Sequence, residues 1–176
     1  MISFDLNIIE QCKKSDRRAQ MQLYTTFYKR VYNACYRVLR DQAEAEDAMQ
    51  ESFLKAFSGL DNYSNEVPFE AWLVRIAINA SIDKLRKKDL DLISLNENID
   101  YEPIDSNDAD DWEKIMDKVI QVKSAIERLP EASRLIINLY LLEGYDHEEI
   151  AEILNIAPGT VRIQYMRAKQ KLITLI

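Results

Sequence analysis

The sequence predicts an all-α protein of two small helical domains, the second a helix-turn-helix, joined by an acidic, flexible linker. Three glycines and four prolines in 176 residues leave little material for turns and favour long helices. Apolar residues recur every three to four positions through most of the chain, which is the helical period. Residues 90–115 carry nine acidic side chains and one basic side chain. We therefore place the domains at 1–89 and 112–176, and the linker at 90–111.

The first domain is predicted to begin with a short helix at 5–14, followed by a long helix from residue 15 or 16 to about Arg40. A repeating apolar stripe predicts the buried side of the long helix: Ala19, Leu23, Phe27, Val31, Ala34 and Val38. Cys12 and Cys35 lie on apolar helix faces. We expect both to be buried thiols without a disulfide.

A third helix, predicted at 42–57 and capped by Asp41, has an acidic side. Five acidic residues and no basic residue occur between Asp41 and Glu51. Like charges one helical turn apart repel each other, and a basic protein partner would relieve this repulsion. On charge alone, a solvated face is the simpler interpretation. The predicted buried side is Ala45, Met49, Phe53, Ala56 and Leu60.

Pro68 is predicted to open a fourth helix that reaches Lys88 and is rich in basic residues. Five basic residues and one acidic residue occur between Ala71 and Lys88. A cationic helix beside a loop with aromatic residues can bind a nucleic-acid strand whose bases are unstacked. The alternative is that Phe69 and Trp72 belong to the core and that the basic end is solvated. For Trp72 we favour the core.

The second domain is predicted to contain helices at 112–129 and 130–143, followed by a helix-turn-helix at 145–172. The first two helices are predicted to pack through their apolar residues: Trp112, Ile115, Val119, Val122, Ile126 and Leu129 on one, and Leu135, Ile136, Leu139 and Leu142 on the other. Asp146 and Glu149 form a capping box, Asn155 suits the left-handed end of a helix, and Pro158 suits the start of the next. The last helix is predicted to bury Val161, Tyr165, Ala168 and Leu172, and to expose Thr160, Arg162, Ile163, Gln164, Arg167, Lys169 and Lys171. No acidic residue follows Glu152. This one-sided charge favours insertion into the DNA major groove over a solvated helical hairpin.

Catalytic and metal-binding motifs are missing from the sequence. We find no nucleophile–base pair, glycine-rich phosphate loop or set of metal ligands. His147 is the only histidine and is predicted to be a solvated residue in the first turn of its helix. We therefore expect neither an enzyme, nor a cofactor, nor a small-molecule substrate. Without an apolar run of spanning length or a signal peptide, the expected location is the cytoplasm.

Three motifs resemble those of bacterial extracytoplasmic-function (ECF) sigma factors. They are the acidic run 46–53, the helix 69–79 with Asp83 and Arg86, and the C-terminal residues Leu129-Pro130, 149–151 and 159–162. The resemblance implies that the acidic helix binds the clamp helices of core RNA polymerase. It assigns this role to Glu46, Asp47, Gln50 and Glu51.

The same resemblance implies two contacts with promoter DNA. The first domain would capture the melted minus-ten strand through Asn62, Tyr63, Arg75, Asn79 and Arg86. The second would read the minus-thirty-five duplex. It also implies an anti-sigma protein, often membrane-anchored, as a further partner. The alternatives are an operator-binding regulator that acts without polymerase, and a helical adaptor.

The last helix departs from the family pattern at Ile163 and Gln164, where a small residue and then a basic residue are common. Glutamine can form two hydrogen bonds with adenine. The sequence therefore predicts that Gln164 reads an adenine in the minus-thirty-five element.

Overall fold

A computed structural model describes residues 6–87 and 112–176, with side chains at 7–87 and 118–176. Over these residues all regular secondary structure is helical, which confirms the predicted all-α class. The chain divides into two compact units, Met1–Leu90 and Asp91–Ile176. The predicted linker lies outside the described residues, as do the start of the first predicted helix and the last residue of the fourth.

Within residues 6–87, the first unit contains four α-helices and a short 3-10 turn. They are α1 (Leu6–Lys13), α2 (Arg17–Leu39), α3 (Gln42–Gly59), the 3-10 turn (Leu60–Asn62) and α4 (Phe69–Lys87). Helices α2, α3 and α4 pack against one another in all three pairs, and α1 packs on α2. The core therefore lies between α2, α3 and α4, and each of these helices also has a solvent-exposed side.

Short polar residues set the ends of the first two long helices. The carboxylate of Asp16 accepts a hydrogen bond from the backbone N–H of Arg18 at 2.8 Å, and that of Asp41 accepts one from Glu44 N–H at 2.9 Å. Arg40 ends α2 in the left-handed conformation at φ 58°. Only Arg40 and Asp41 connect α2 to α3, so the two helices form a tight hairpin.

The predicted apolar stripes of α2 and α3 are confirmed. All six stripe residues of α2 are buried, together with Cys35 and Leu39. The five predicted for α3 and its end are also buried. Cys12 and Cys35 are both buried free thiols, and burial raises the pKa of Cys12, with the Asp16 carboxylate adding to the effect.

The second unit is built around its last helix. Its elements are α5 (Trp112–Glu127), α6 (Glu131–Ile137), a π-helical segment (Asn138–Leu142), α7 (His147–Leu154) and α8 (Pro158–Leu175). Helix α8 packs against α5, α6 and α7. A core cluster joins three of these helices and the α5–α6 connection: Ala125, Ile126, Leu129, Ile137, Ala168 and Leu172.

Two predicted core positions in this unit are wrong. The predicted helix at 130–143 ends in the π-helical segment, whose wide turn is closed by a hydrogen bond from Glu143 N–H to Asn138 O at 3.1 Å. The wider turn shifts the helical phase, and Leu142 is 40% exposed. Val119 on α5 is 39% exposed. The predicted packing of Trp112 and Ile115 lies outside the described side chains.

Candidate functional site

The acidic side of α3 divides into two groups that face different neighbours. Glu46 and Gln50 are exposed and line a groove toward α2. Asp47 and Glu51 point toward α4, where both approach Lys84. The four residues predicted to bind polymerase therefore share one helix but lie in two electrostatic settings.

The groove between α2 and α3 has a volume of about 590 Å³ and an aromatic wall. Three tyrosines form this wall, Tyr24, Tyr28 and Tyr32, and Tyr36, outside the groove, continues their interval of four along α2. Their rings stack in two pairs, with centroids 5.8 Å apart for Tyr24–Tyr28 and 6.0 Å for Tyr32–Tyr36. The opposite wall includes Gln42, Glu46, Met49 and Gln50. The interval of four is the sequence signal for this wall, because residues four apart lie on one side of a helix.

Lys84 links the acidic side of α3 to α4. Its ammonium group pairs with the Asp47 carboxylate and lies 3.8 Å from a Glu51 oxygen. The hydrogen bond to Asp47 raises the pKa of Lys84. A hydrogen bond from Lys55, 2.9 Å away, is the main cause that lowers the pKa of Glu51. Part of the repulsion predicted for this helix is therefore relieved within the chain.

Helix α4 presents an exposed polar stripe of Arg75, Asn79, Asp83 and Arg86. Their intervals of four, four and three residues place them on one side of the helix. Arg86 lies 3.5 Å from the Asp83 carboxylate, and both side chains are about half exposed. The structure thus brings together three of the five residues predicted to bind a DNA strand.

The other two lie before α4, and one of them is not exposed. Asn62 is exposed at the end of the 3-10 turn, whereas Tyr63 is only 7% exposed. The Tyr63 hydroxyl donates a hydrogen bond to Val67 O at 2.7 Å, and its ring contacts Phe69 and Trp72. Burial raises the pKa of Tyr63. Tyr63 is therefore buried in the first unit, and its predicted role in binding the minus-ten strand stays a prediction.

The helix-turn-helix is formed by α7 and α8, joined by three residues. Asp146 and Glu149 form the predicted capping box, and Asn155 adopts the left-handed conformation at φ 55°. Pro158 occupies the first turn of α8. These signals were correctly predicted because they depend on short-range backbone chemistry.

Most of the predicted DNA-reading residues lie on the outer side of α8, with one exception. Thr160, Arg162, Ile163 and Lys169 are exposed, and Arg167 is half-buried. Gln164 is 6% exposed and lies on the buried side of the helix. The predicted outward orientation of Gln164 is therefore wrong. Its predicted contact with an adenine stays a prediction.

Two side chains at the start of α7 contact α8. Glu148 pairs with Arg162 across the turn. His147 stacks on Tyr140, with ring centroids 4.9 Å apart, and meets the Tyr165 ring edge at 5.1 Å. Its Nε2 is buried and has no hydrogen-bond partner among the described residues. The prediction of a solvated histidine is therefore wrong.

Comparison with known proteins connects these features to one family. The family model for sigma-70 region 2 matches residues 23–90, and that for sigma-70 region 4 matches 120–172. The chain is 32% identical to the ECF RNA polymerase sigma factor SigW of Bacillus subtilis, covering 93% of this chain and 92% of the relative. This chain belongs to the ECF sigma factor family. The sigma factor is also 30% identical to the RNA polymerase sigma-H factor of Pseudomonas aeruginosa, covering 94% and 90% of the two chains.

Solved structures agree with this fold. CnrH in complex with the cytosolic domain of CnrY matches with a TM-score of 0.54, at 23% identity over 96% of this chain and 94% of that chain. The sigma factor RpoE of Bartonella quintana, solved with the anti-sigma factor NepR, matches with a TM-score of 0.55, at 22% identity over 88% and 94%. These values establish similarity of fold.

Family membership establishes the activity. The sigma factor directs promoter-specific initiation of transcription by RNA polymerase, and it is a non-catalytic subunit of that enzyme.

Among the described helices, none is both long and apolar enough to cross a membrane.

Proposed function

We propose that the sigma factor binds core RNA polymerase through the α2–α3 groove and the acidic side of α3. The observation that carries this proposal is the exposure of Glu46 and Gln50 beside an open aromatic wall. Aromatic rings supply a large contact area, while the carboxylate and amide give polar specificity at the edge of the groove. Asp47 and Glu51 add negative charge on the neighbouring side and would meet basic groups of the clamp helices.

Alanine substitution of Glu46 and Gln50 tests this proposal. Both side chains are exposed, so their loss should leave the melting temperature nearly unchanged. We expect the affinity for core polymerase to fall by about tenfold or more, as for interface residues whose truncation costs over 1 kcal/mol. Glu66→Ala removes an exposed carboxylate from the loop before α4 and serves as the control. Equal affinities for the double variant and the control would refute the proposal.

For the minus-ten element, we propose that the exposed stripe of α4, together with Asn62, holds the melted strand. Arg75 and Arg86 provide cations for phosphates, and Asn79 provides an amide for a base edge. Arg86→Ala should slow the formation of open complexes on duplex promoters, with a smaller effect on a template that contains a pre-melted bubble. An equal loss on both templates would instead assign Arg86 to a simple phosphate contact.

For the minus-thirty-five element, we propose that α8 enters the major groove with its first half toward the bases. Thr160, Arg162 and Ile163 are exposed there, whereas Arg167 and Lys169 lie further along the helix. Lys169→Ala should weaken binding to all sequences alike and lower the salt slope by about one unit. Unequal losses between promoter sequences would show that Lys169 contacts bases.

We further propose that the domains span residues 1–89 and 112–176 and that residues 90–111 form the linker between them. We also propose that the protein is cytoplasmic and that an anti-sigma protein restrains it. CnrH was solved in complex with the cytosolic domain of CnrY, and the sigma factor RpoE in complex with the anti-sigma factor NepR. The α2–α3 groove offers a surface for such a partner. Affinity capture from a bacterial lysate is the test. Stoichiometric recovery of core polymerase supports the sigma assignment, whereas an operator-binding regulator would bind DNA without polymerase.

A further inference from the structure

We propose that Glu148 is a positioning residue that directs Arg162 toward a base edge and away from the DNA phosphates. This inference rests on the proposed DNA-reading role of α8. Glu148 lies in the first turn of α7, and Arg162 lies in the second turn of α8. An oxygen of the Glu148 carboxylate accepts a hydrogen bond from Arg162 Nη2. The pair thus connects the two helices of the helix-turn-helix on their exposed side.

The exposure of this pair argues against a role in holding the fold together. The two side chains are 57% and 59% exposed, and ion pairs in solvent add little to stability. The helix-turn-helix already has a capping box and a left-handed turn, and a ring cluster joins α7 and α8. We infer instead that the ion pair restricts the conformations that the Arg162 side chain occupies.

An arginine that is held by an ion pair recognises DNA differently from an arginine without such a partner. The flexible side chain loses much of its rotamer freedom when Glu148 holds one guanidinium nitrogen. Nη1 and Nε can still donate to an acceptor such as guanine O6 or N7. The carboxylate also places a negative charge beside the guanidinium, which disfavours a competing DNA phosphate. Glu148 should therefore increase selectivity while it reduces affinity for DNA in general.

Glu148→Gln tests this inference because it keeps the size of the side chain and removes its charge. The measurement uses holoenzyme reconstituted from core polymerase and the full-length chain, on promoters with each upstream position randomised. We expect the preference at one base pair to fall by about two- to fivefold, the factor that corresponds to the small free energy of an exposed ion pair. Binding to promoters with a scrambled upstream element should strengthen, with a salt slope steeper by about one unit because Arg162 would then neutralise a phosphate.

Two further variants separate this effect from a change in net charge or fold. Glu131→Gln removes one carboxylate from the first turn of α6 and should leave the base preference unchanged. In an Arg162→Ala background, Glu148→Gln should have no effect on the preferred base pair, because the residue that it positions is absent. The melting temperatures of Glu148→Gln and the wild type should agree within a few degrees.

The outcomes separate a failure of the positioning role of Glu148 from a failure of the proposed DNA-reading role of α8. If Glu148→Gln keeps the wild-type base preference, or changes it equally in the presence and absence of Arg162, the positioning role is refuted. If the double variant Arg162→Ala, Lys169→Ala binds and selects promoters like the wild type, the DNA-reading role of α8 is refuted as well.

Discussion

His147 is packed between the Tyr140 and Tyr165 rings, and its buried Nε2 lacks a partner among the described residues. A buried polar atom without a hydrogen bond costs about 1–3 kcal/mol. His147→Phe should keep the stack and remove this cost, so we expect an unchanged or higher melting temperature. His147→Ala should lower the stability by about 1 kcal/mol or more, because it removes the ring contacts. Thermal unfolding of the full chain measures both, and a large loss for His147→Phe would show that the nitrogen has a partner.

Tyr63 supports the loop before α4 through its hydroxyl and its ring. Tyr63→Phe removes the hydrogen bond to Val67 O and should cost about 0.5–1.5 kcal/mol of stability. Binding of a single-stranded minus-ten fragment by the holoenzyme should change little, because the ring remains in place. A loss of strand binding at unchanged stability would instead mean that the hydroxyl contacts DNA.

Gln164 and His147 share one reason for their wrong placement at the surface. Each has a polar side chain, and this outweighed the helical spacing that argues otherwise for Gln164. It lies three residues after Val161 and four before Ala168, both buried, and these intervals belong to the apolar side of a helix. A buried amide is acceptable where it is hydrogen-bonded, and sequence does not reveal whether a partner is present.

At the scale of elements, the helix ends and the stripes of the first unit were predicted well. Asp16, Asp41 and Asn155 act through backbone groups close in sequence, so local chemistry determines their positions. The π-helical segment, which begins at the buried Asn138, was missed because the apolar spacing across it is that of an ordinary α-helix. The pairs Lys84–Asp47 and Glu148–Arg162 join different helices, and helical periodicity alone does not reveal which residues of two helices meet.

Lys84 of α4 forms ion pairs with the acidic side of α3. The stability that these pairs contribute should depend on salt concentration and on pH. Lys84→Met should lower the free energy of unfolding by about 0.2–1 kcal/mol at low salt, because the pairs are partly exposed, and by less at high salt. Lys84 has a raised pKa in the folded chain. Its contribution is therefore complete below the pKa of the unfolded state and is lost as the pH rises through the folded value. Lys14→Met, at an exposed position directly after α1, is the control.

The acid side of this profile follows from Glu51. Its pKa is lowered in the folded chain mainly by Lys55 and to a smaller extent by Lys84. The Lys84 part of its contribution is present above the pKa of the unfolded state and is lost as the pH falls through the folded value. The difference in free energy of unfolding between wild type and Lys84→Met should accordingly be largest over a wide range around neutral pH. It should shrink in both strong acid and strong base. Urea unfolding at a series of pH values measures it. A difference that grows in acid would contradict this assignment of partners.

For the whole molecule, the division into two units has a thermodynamic consequence. Each unit has its own buried core, so each should unfold as a separate cooperative step. Calorimetry of the full chain should then give a profile that equals the sum of the profiles of fragments 1–90 and 91–176. A transition of the full chain well above those of both fragments would show that the units stabilise each other.

The hairpin of α2 and α3 also bears on how the chain folds. All residues that line the groove lie between Tyr24 and Gln50, and the connection between the helices is two residues long. Contacts so close in sequence cost little loop-closure entropy and are typical of rapid folding. We expect this hairpin to be largely formed in the folding transition state, with α4 docking afterwards. During synthesis on the ribosome, the surface proposed for polymerase would then begin to assemble before the DNA-binding helices of the second unit have been translated.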